Sequence, residues 1–277
     1  MRGDRIGRAG YHLGQAVLVI AFAFPLAWVL SLSLKTGPET LQSPPSLLPE
    51  SPQWGNYATV LENTPIGRYL VNSLFLVAVS VTGALLVAVP AAYGLSRFVF
   101  RGRRTYSRGV LAAQLVSPLI IAVPAYRLFV ALGLVDSYVG LVLIYIAMIA
   151  PFLTWFLKTY LDTVPRALDE AAMIDGCSRL RTVVSVILPT IRPGLASAAI
   201  LGGVTTWSQF AVPFILLDTR ELFPVSVGVV NLQQTAGEIT TQYLAAGSVL
   251  AVAPVIVLFV VFQRHIVGAL TAGAVKG

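Results

Sequence analysis

The stretch EAAMIDGCSRLRTVVSVILP, residues 170–189, is polar and broken by a glycine, and it lies between two long apolar blocks. It carries the acids Glu170 and Asp175, the arginines Arg179 and Arg181, the single cysteine Cys177 and a closing Pro189. With the preceding TVPRALD (residues 163–169) it predicts a helix, a glycine turn and a second helix. Pro165 suits a first helical turn, where its missing N–H would have no partner anyway. Asp169 and Glu170 follow early, where negative charge complements the helix dipole. Gly176 can take the left-handed conformation that ends a helix, and Ser178 can cap the next. In that second helix Leu180, Val183, Val184 and Ile187 fall at i, i+3, i+4 and i+7 and should share one face. Pro189 and Pro193 should end it. A segment of this kind is either an amphipathic element on a membrane surface or a docking element for another protein. Its physics alone does not choose.

The blocks around it define the solvent. Of 277 residues, 56% are hydrophobic and 11% charged, whereas a soluble domain carries about a quarter charged residues. A bilayer is the simpler setting. Six blocks reach the roughly 20 apolar residues of a membrane span: Leu13–Leu34, Tyr69–Ser96, Val110–Leu132, Val139–Leu157, Gly194–Leu217 and Leu244–Phe262. Pro118 and Pro124 lie in the third, so its outer end is a candidate separate short helix. The first follows Arg2, Arg5 and Arg8, as a signal peptide would. Its apolar run of about 22 residues exceeds a signal core, and KTGPET (residues 35–40) follows it rather than a cleavage site. An uncleaved anchor is expected. The predicted fold is all-α, a polytopic membrane protein of six transmembrane helices. Residues 1–65 form a cytoplasmic N-terminus, a first span and an extracellular segment. Residues 66–262 form the main transmembrane domain with the polar segment 158–193 inside it, and residues 263–277 form a cytoplasmic tail.

The net charge of +7 points to topology rather than to nucleic acid. With the N-terminus inside, 15 of the 19 basic residues fall on the inner side. They cluster as Arg2, Arg5, Arg8; Arg97, Arg101, Arg103, Arg104, Arg108; Lys158, Arg166, Arg179, Arg181, Arg192; and Arg264, Lys276. Positive charge is retained on the cytoplasmic side, so both termini are expected there. Residues 170–189 then lie in the cytoplasmic loop between the fourth and fifth spans. One cysteine excludes an internal disulfide and a Cys-rich metal site. His12 and His265 stand at opposite ends and offer no catalytic or zinc site. No catalytic residue and no metal ligand is expected.

Glu170-Ala171-Ala172, then Gly176, then Ile187 and Leu188-Pro189 resemble the EAA signature of the permeases of ATP-binding-cassette (ABC) importers. The tail departs by one position, since Ile187 directly precedes Leu188-Pro189. NYATVLENTPIGRYLVNSL (56–74), AAYGLSRFVFRGRR (91–104), LGLVDSYVGLVLIY (132–145) and TAGAVKG (271–277) look like the carbohydrate-importer branch. Within it they are similar to the six-span maltose-type half, over nearly the whole chain. The resemblance implies a type I importer permease in a bacterial inner membrane, one half of a pathway for a sugar or sugar-like solute. It implies as partners a second permease, two cytoplasmic ATPase subunits that hold ATP and Mg, an extracytoplasmic substrate-binding protein and membrane lipid. This chain would bind no cofactor. The resemblance makes residues 166–189 the coupling helix, with Glu170, Ala171, Ala172, Asp175, Gly176, Leu188 and Pro189 in the docking surface. Glu170 would pair with a base on the ATPase. The tail Ala274, Val275, Lys276 and Gly277 would reach between the ATPase subunits; otherwise it is a frayed end.

The polar run Thr205–Gln209 inside the fifth block makes Thr206, Trp207 and Gln209 candidate pathway residues. The alternative is helix packing, with Gly202 and Gly203 allowing close approach. Asn72 caps an interface or lines the path. The segment Lys35–Arg68 either faces the binding protein or only links spans. Rival functions are weaker. A CDP-alcohol phosphotransferase needs further aspartates near Asp175, and none follows until Asp218. An ion-coupled secondary transporter needs mid-membrane ionisable groups, and no P-loop is present for ATP hydrolysis. An importer permease for a polyamine, phosphate ester or metal complex shares the EAA loop and is the alternative within the family.

Overall fold

The computed structural model of the chain describes residues 3–235 and 240–274. The described elements are helical. In order they are α1 (Gly3–Ser33), α2 (Gly37–Thr40), α3 (Gly55–Asn63), α4 (Ile66–Arg97), α5 (Arg103–Ala113), α6 (Pro118–Leu132) and α7 (Tyr138–Leu161). Then come α8 (Ala167–Ile174), α9 (Arg179–Thr182), a π turn (Val183–Ile187), α10 (Leu188–Thr190), α11 (Arg192–Trp207) and α12 (Ala211–Leu216). A 3-10 turn (Arg220–Leu222), α13 (Val225–Thr235) and α14 (Thr241–Ala274) complete the chain.

Among the described residues, four helices are long and apolar enough to cross a bilayer: α1 over Tyr11–Ser33, α4, α7, and α14 over Thr241–Gln263. The third block is broken at Pro118, in line with the short outer helix expected there, and the fifth is broken too, which the sequence reading did not anticipate. In the third, residues 114–117 separate α5 from α6. Pro118 disfavours helical geometry at the residue before it, and Ser117 is extended with ψ 135°. In the fifth, α11 stops at Trp207 and α12 starts at Ala211. Pro213 cannot donate to the Gln209 carbonyl and would clash with it; that carbonyl accepts the Ser226 hydroxyl at 2.7 Å instead. Pro25, Pro90, Pro151 and Pro254 lie inside continuous helices, as membrane helices tolerate.

The chain divides into two compact units, Met1–Gly67 with Gly228–Ala253, and Arg68–Val227 with Pro254–Gly277. In the first, the segment after α1 is folded and does more than link. Asn56 donates to the carbonyls of Ser33 and Lys35, each at 2.9 Å. Lys35 is buried, donates to the Ser46 carbonyl and lies 4.9 Å from the Trp28 ring centre. Thr36 and Glu39 form a capping box over α2. Backbone N–H groups of Thr36 and Glu50 hold the Glu39 carboxyl below its usual range.

In the second unit α4, α7 and α11 share one core. Ala84, Ala88 and Ala92 recur every fourth residue on α4 and are fully buried beside Leu153, Leu157 and Ala198. Small residues let helices approach where lipid gives no hydrophobic drive between them. Of the glycines of α11, Gly194 makes the closest approach, since a Cβ there would fall 2.7 Å from the Tyr160 ring. At Gly202 and Gly203 a Cβ would meet only ordinary contacts, at 3.5 and 3.6 Å, so those glycines are not what brings the helices together.

At the start of α7, Asp136 pins the loop after α12. Its carboxylate accepts the Asp218 and Thr219 N–H groups at 2.9 Å and the Thr219 hydroxyl at 2.5 Å. Those bonds, the Thr219 hydroxyl first, hold the carboxyl below its usual range. A depressed carboxyl pKa stabilises the fold above the usual value of about 4 and loses that effect as pH falls through the lower native value. Amide exchange at Asp218 and Thr219, corrected for the intrinsic rate, should therefore stay slow at neutral pH and accelerate in acid. In Asp136→Asn it should be fast at both.

A candidate coupling loop and pathway

The polar segment folds as a helix, a turn and a bent second helix. α8 ends at Ile174 with Asp175 as its C-cap, and Gly176 takes φ +84°. The Gly176 N–H donates to Met173 O at 3.1 Å and the Cys177 N–H to Ala172 O at 3.0 Å, which closes the helix end with a left-handed residue. Ser178 accepts the Arg181 N–H at 3.4 Å and opens α9. Pro189 lacks the N–H of a regular turn and crowds the carbonyl four residues back. The chain widens into the π turn before it, with Leu188 N–H donating to Val183 O. α11 then leaves at 80° to residues 179–190.

This widening corrects the expected apolar face. Leu180 and Val184 are exposed, whereas Thr182, Ile187 and Ile191 are buried. Ala172 is buried and Leu188 packs at the margin of the core. Glu170, Ala171, Asp175, Gly176 and Pro189 face solvent. Around them lie exposed Leu168, Met173, Ile174 and Leu180, the last two at 86% and 76%. The loop thus displays the acids Glu170 and Asp175 and the arginines Arg179 and Arg181 alongside exposed apolar side chains.

Its base is held by a network that the sequence did not reveal. Asp169, read above as a dipole partner, is buried. It accepts the Tyr93 hydroxyl at 2.9 Å and forms an ion pair with Arg97 at 2.9 Å, both from the end of α4. The angle of that pair lies outside hydrogen-bond geometry. Arg97 also donates to Val164 O at 3.0 Å, and Arg166 to Ser96 O at 3.1 Å. Ser96 donates to Asp162 at 2.7 Å, and Lys158 reaches the other oxygen of Asp162 at 2.5 Å. Phe98 lies 4.8 Å from the Arg179 guanidinium. The end of α4 is therefore tied to both ends of the loop. No motif marks these contacts, because their partners lie about 70 positions apart.

The polar run of the fifth block is distributed rather than gathered. The Thr206 hydroxyl is buried and bonds back to Gly202 O at 2.8 Å. Trp207 lines a small apolar space of about 70 Å³ with Leu74, Val77 and Pro254. Gln209 and Thr205 line a different cavity, of about 220 Å³, with Gln114, Met148 and Pro151. Gln114, at the break between α5 and α6, was not singled out from sequence; a lone glutamine inside an apolar block is the signal that would have found it. Asn72 donates to the carbonyls of Glu221 and Phe223 at 2.8 and 3.0 Å, which fixes the turn before α13. In the tail, α14 runs helical to Ala274; Val275, Lys276 and Gly277 lie outside the described residues.

Residues 84–271 match the family model described as the binding-protein-dependent transport system inner membrane component. Full-length similarity reaches the diacetylchitobiose uptake system permease protein DasC of Streptomyces coelicolor, with 30% identity over 100% of both chains. The trehalose/maltose transport system permease protein MalG of Thermococcus litoralis is 31% identical over 100% of both. Among solved structures, a bacterial ABC transporter involved in the import of the acidic polysaccharide alginate has the same fold. It matches with TM-score 0.81 and 22% identity over 95% of this chain and 98% of that one. With four long apolar helices, a bent polar loop between α7 and α11, and these relatives, the chain belongs to the binding-protein-dependent transport system inner membrane components, the multi-pass permease subunits of ABC importers.

Proposed function

We propose that this chain forms half of the translocation pathway for a sugar or sugar-like solute, driven by ATP hydrolysis on separate subunits. The observation that carries the proposal is the surface of α8 and α9, where exposed Met173, Ile174 and Leu180 lie among the exposed charges Glu170, Asp175, Arg179 and Arg181. Large apolar side chains held exposed among charges on a loop suit a protein partner better than water. The sugar assignment rests on relatives named for sugar uptake along their full length.

In this reading both termini and residues 158–193 are cytoplasmic in a bacterial inner membrane, as the basic residues suggest. Two ATPase subunits hold ATP and Mg; one receives α8, and Val275, Lys276 and Gly277 approach their interface. A second permease completes the path, and a binding protein delivers solute to the opposite face. When the ATPases close, α8 moves as a rigid knob, because Asp169 and Arg97 lock it to α4. α4 and α7 follow, and the path reopens outward. Gln114, Thr205 and Gln209 are the polar groups best placed to meet solute hydroxyls. Purification in mild detergent from the native membrane tests the assignment. Recovery of an ATPase and a second permease is expected, whereas recovery of this chain alone under every detergent condition would overturn it.

A further inference from the structure

A second group of charges lies at the same end of the fold, and its arginines are used by neither the loop nor the pathway. A cavity of about 700 Å³ is lined by Val99, Phe100, Arg103, Arg104, Arg108 and Lys158, with Gly102, Thr105 and Ser107 between them. No acid lines it. Lys158 is paired with Asp162. Among the described residues, Arg104 and Arg108 make no hydrogen bond or ion pair from their side chains, and Arg103 acts only at longer range on Asp162, which Lys158 already pairs. Three guanidinium groups within six positions repel one another, the single Asp162 carboxylate shared with Lys158 does not neutralise them, and the arrangement calls for an anion. The cavity sits where two spans end, since Arg97 closes the last turn of α4 and Lys158 stands in the last turn of α7. That is the depth of lipid headgroups. Val99 and Phe100 lie exposed beside the arginines, which is wasteful toward water but suited to acyl chains.

We propose that this cavity binds the phosphodiester headgroup of an anionic phospholipid, with its acyl chains against Val99 and Phe100. Guanidinium forks match phosphate oxygens in geometry and charge. An acidic protein surface would satisfy the arginines but would leave the neighbouring apolar residues at the membrane edge unexplained. Insertion topology alone would need the charges but no cavity. The inference depends on the membrane placement of α4 and α7 and is independent of the solute transported.

The test uses the full-length chain with whatever partners purify with it, in nanodiscs of phosphatidylcholine with or without phosphatidylglycerol. Native mass spectrometry reads bound lipid. The wild type should retain phosphatidylglycerol selectively, and Arg103→Gln/Arg104→Gln/Arg108→Gln should weaken that retention by roughly tenfold or more. The corresponding triple lysine variant keeps the charge and should retain most of the affinity, which separates loss of the site from loss of the fold. Equal retention by the glutamine variant overturns the proposal. So does loss of a co-purifying protein with lipid retention intact, which would assign the arginines to a protein contact. Inorganic phosphate stabilising the wild type in phosphatidylcholine discs as well as phosphatidylglycerol does would assign the site to a free anion and overturn the lipid.

Discussion

Asp169→Ala is expected to destabilise the protein by about 3–5 kcal/mol, the largest effect of any single truncation in the loop. The reason is what it leaves behind. Arg97 and Asp169 have side chains only 7% and 8% exposed, so removing the carboxylate strands a buried guanidinium and orphans the Tyr93 hydroxyl. Tyr93→Phe removes one hydrogen bond to a charged acceptor and should cost about 1.5–3 kcal/mol. The double variant Arg97→Met/Asp169→Leu removes both charges together and should be far closer to wild type than Asp169→Ala, because the desolvation penalty goes with them. Denaturant unfolding in detergent measures all three. If Asp169→Ala falls within 1 kcal/mol of wild type, the pair is not what fixes the loop to α4, given the size expected for a broken buried pair.

That network also shows where sequence reading stops. Gly176 is legible because a left-handed helix end demands a residue without a Cβ, and the demand is local. Ser178 as a cap is legible for the same reason. The partnership of Asp169 with Tyr93 and Arg97 is long-range, and nothing in either segment announces the other. Asp169 also shows how a local explanation can be sufficient and incomplete. Its place in the first turn of α8 does suit the helix dipole, yet its burial is set by α4.

The broken spans follow the same division. Hydropathy located every apolar block, because burial in lipid depends on composition alone. The prolines flagged the break in the third block but nothing flagged the one in the fifth, because prolines act according to their register. Pro90 and Pro151 are absorbed inside α4 and α7, whereas Pro118 begins α6 and Pro213 lies in the first turn of α12, each after a break. The apolar face read over residues 180–187 failed for a related reason. Regular 3.6-residue spacing assumes a regular helix, and the π turn ahead of Pro189 shifts every later side chain around the axis. The polar run at 205–209 was one cluster in sequence and three environments in space, since adjacent helical positions point in different directions.

Glu170→Lys should abolish uptake while leaving stability unchanged. Glu170 is exposed, and no hydrogen bond or ion pair holds its side chain among the described residues, so the fold loses nothing when it changes. A docking partner loses a great deal. Truncating one member of a charge pair desolvated at an interface costs about 2–5 kcal/mol, which is roughly 30-fold or more in affinity, and charge reversal adds repulsion. Gly176 gives the matching geometric test. A Cβ at this position meets nothing within 4 Å, so Gly176→Ala carries only the cost of a left-handed residue, about 1–2 kcal/mol, and should reduce uptake without abolishing it. Gly176→Pro cannot reach φ +84°. It also forfeits the N–H that caps Met173, so the turn must rebuild and α8 must lose its orientation. Membrane insertion, read by fractionation, should survive in all three variants, because the spans on either side are untouched. Solute uptake and ATPase co-purification should fall together in Glu170→Lys and Gly176→Pro. Normal uptake in either variant would remove α8 from the coupling path. Lost uptake with full ATPase recovery would keep α8 in the path but move its role from docking to the transmission of movement, and the rigid link through Asp169 and Arg97 would then be the part to probe next.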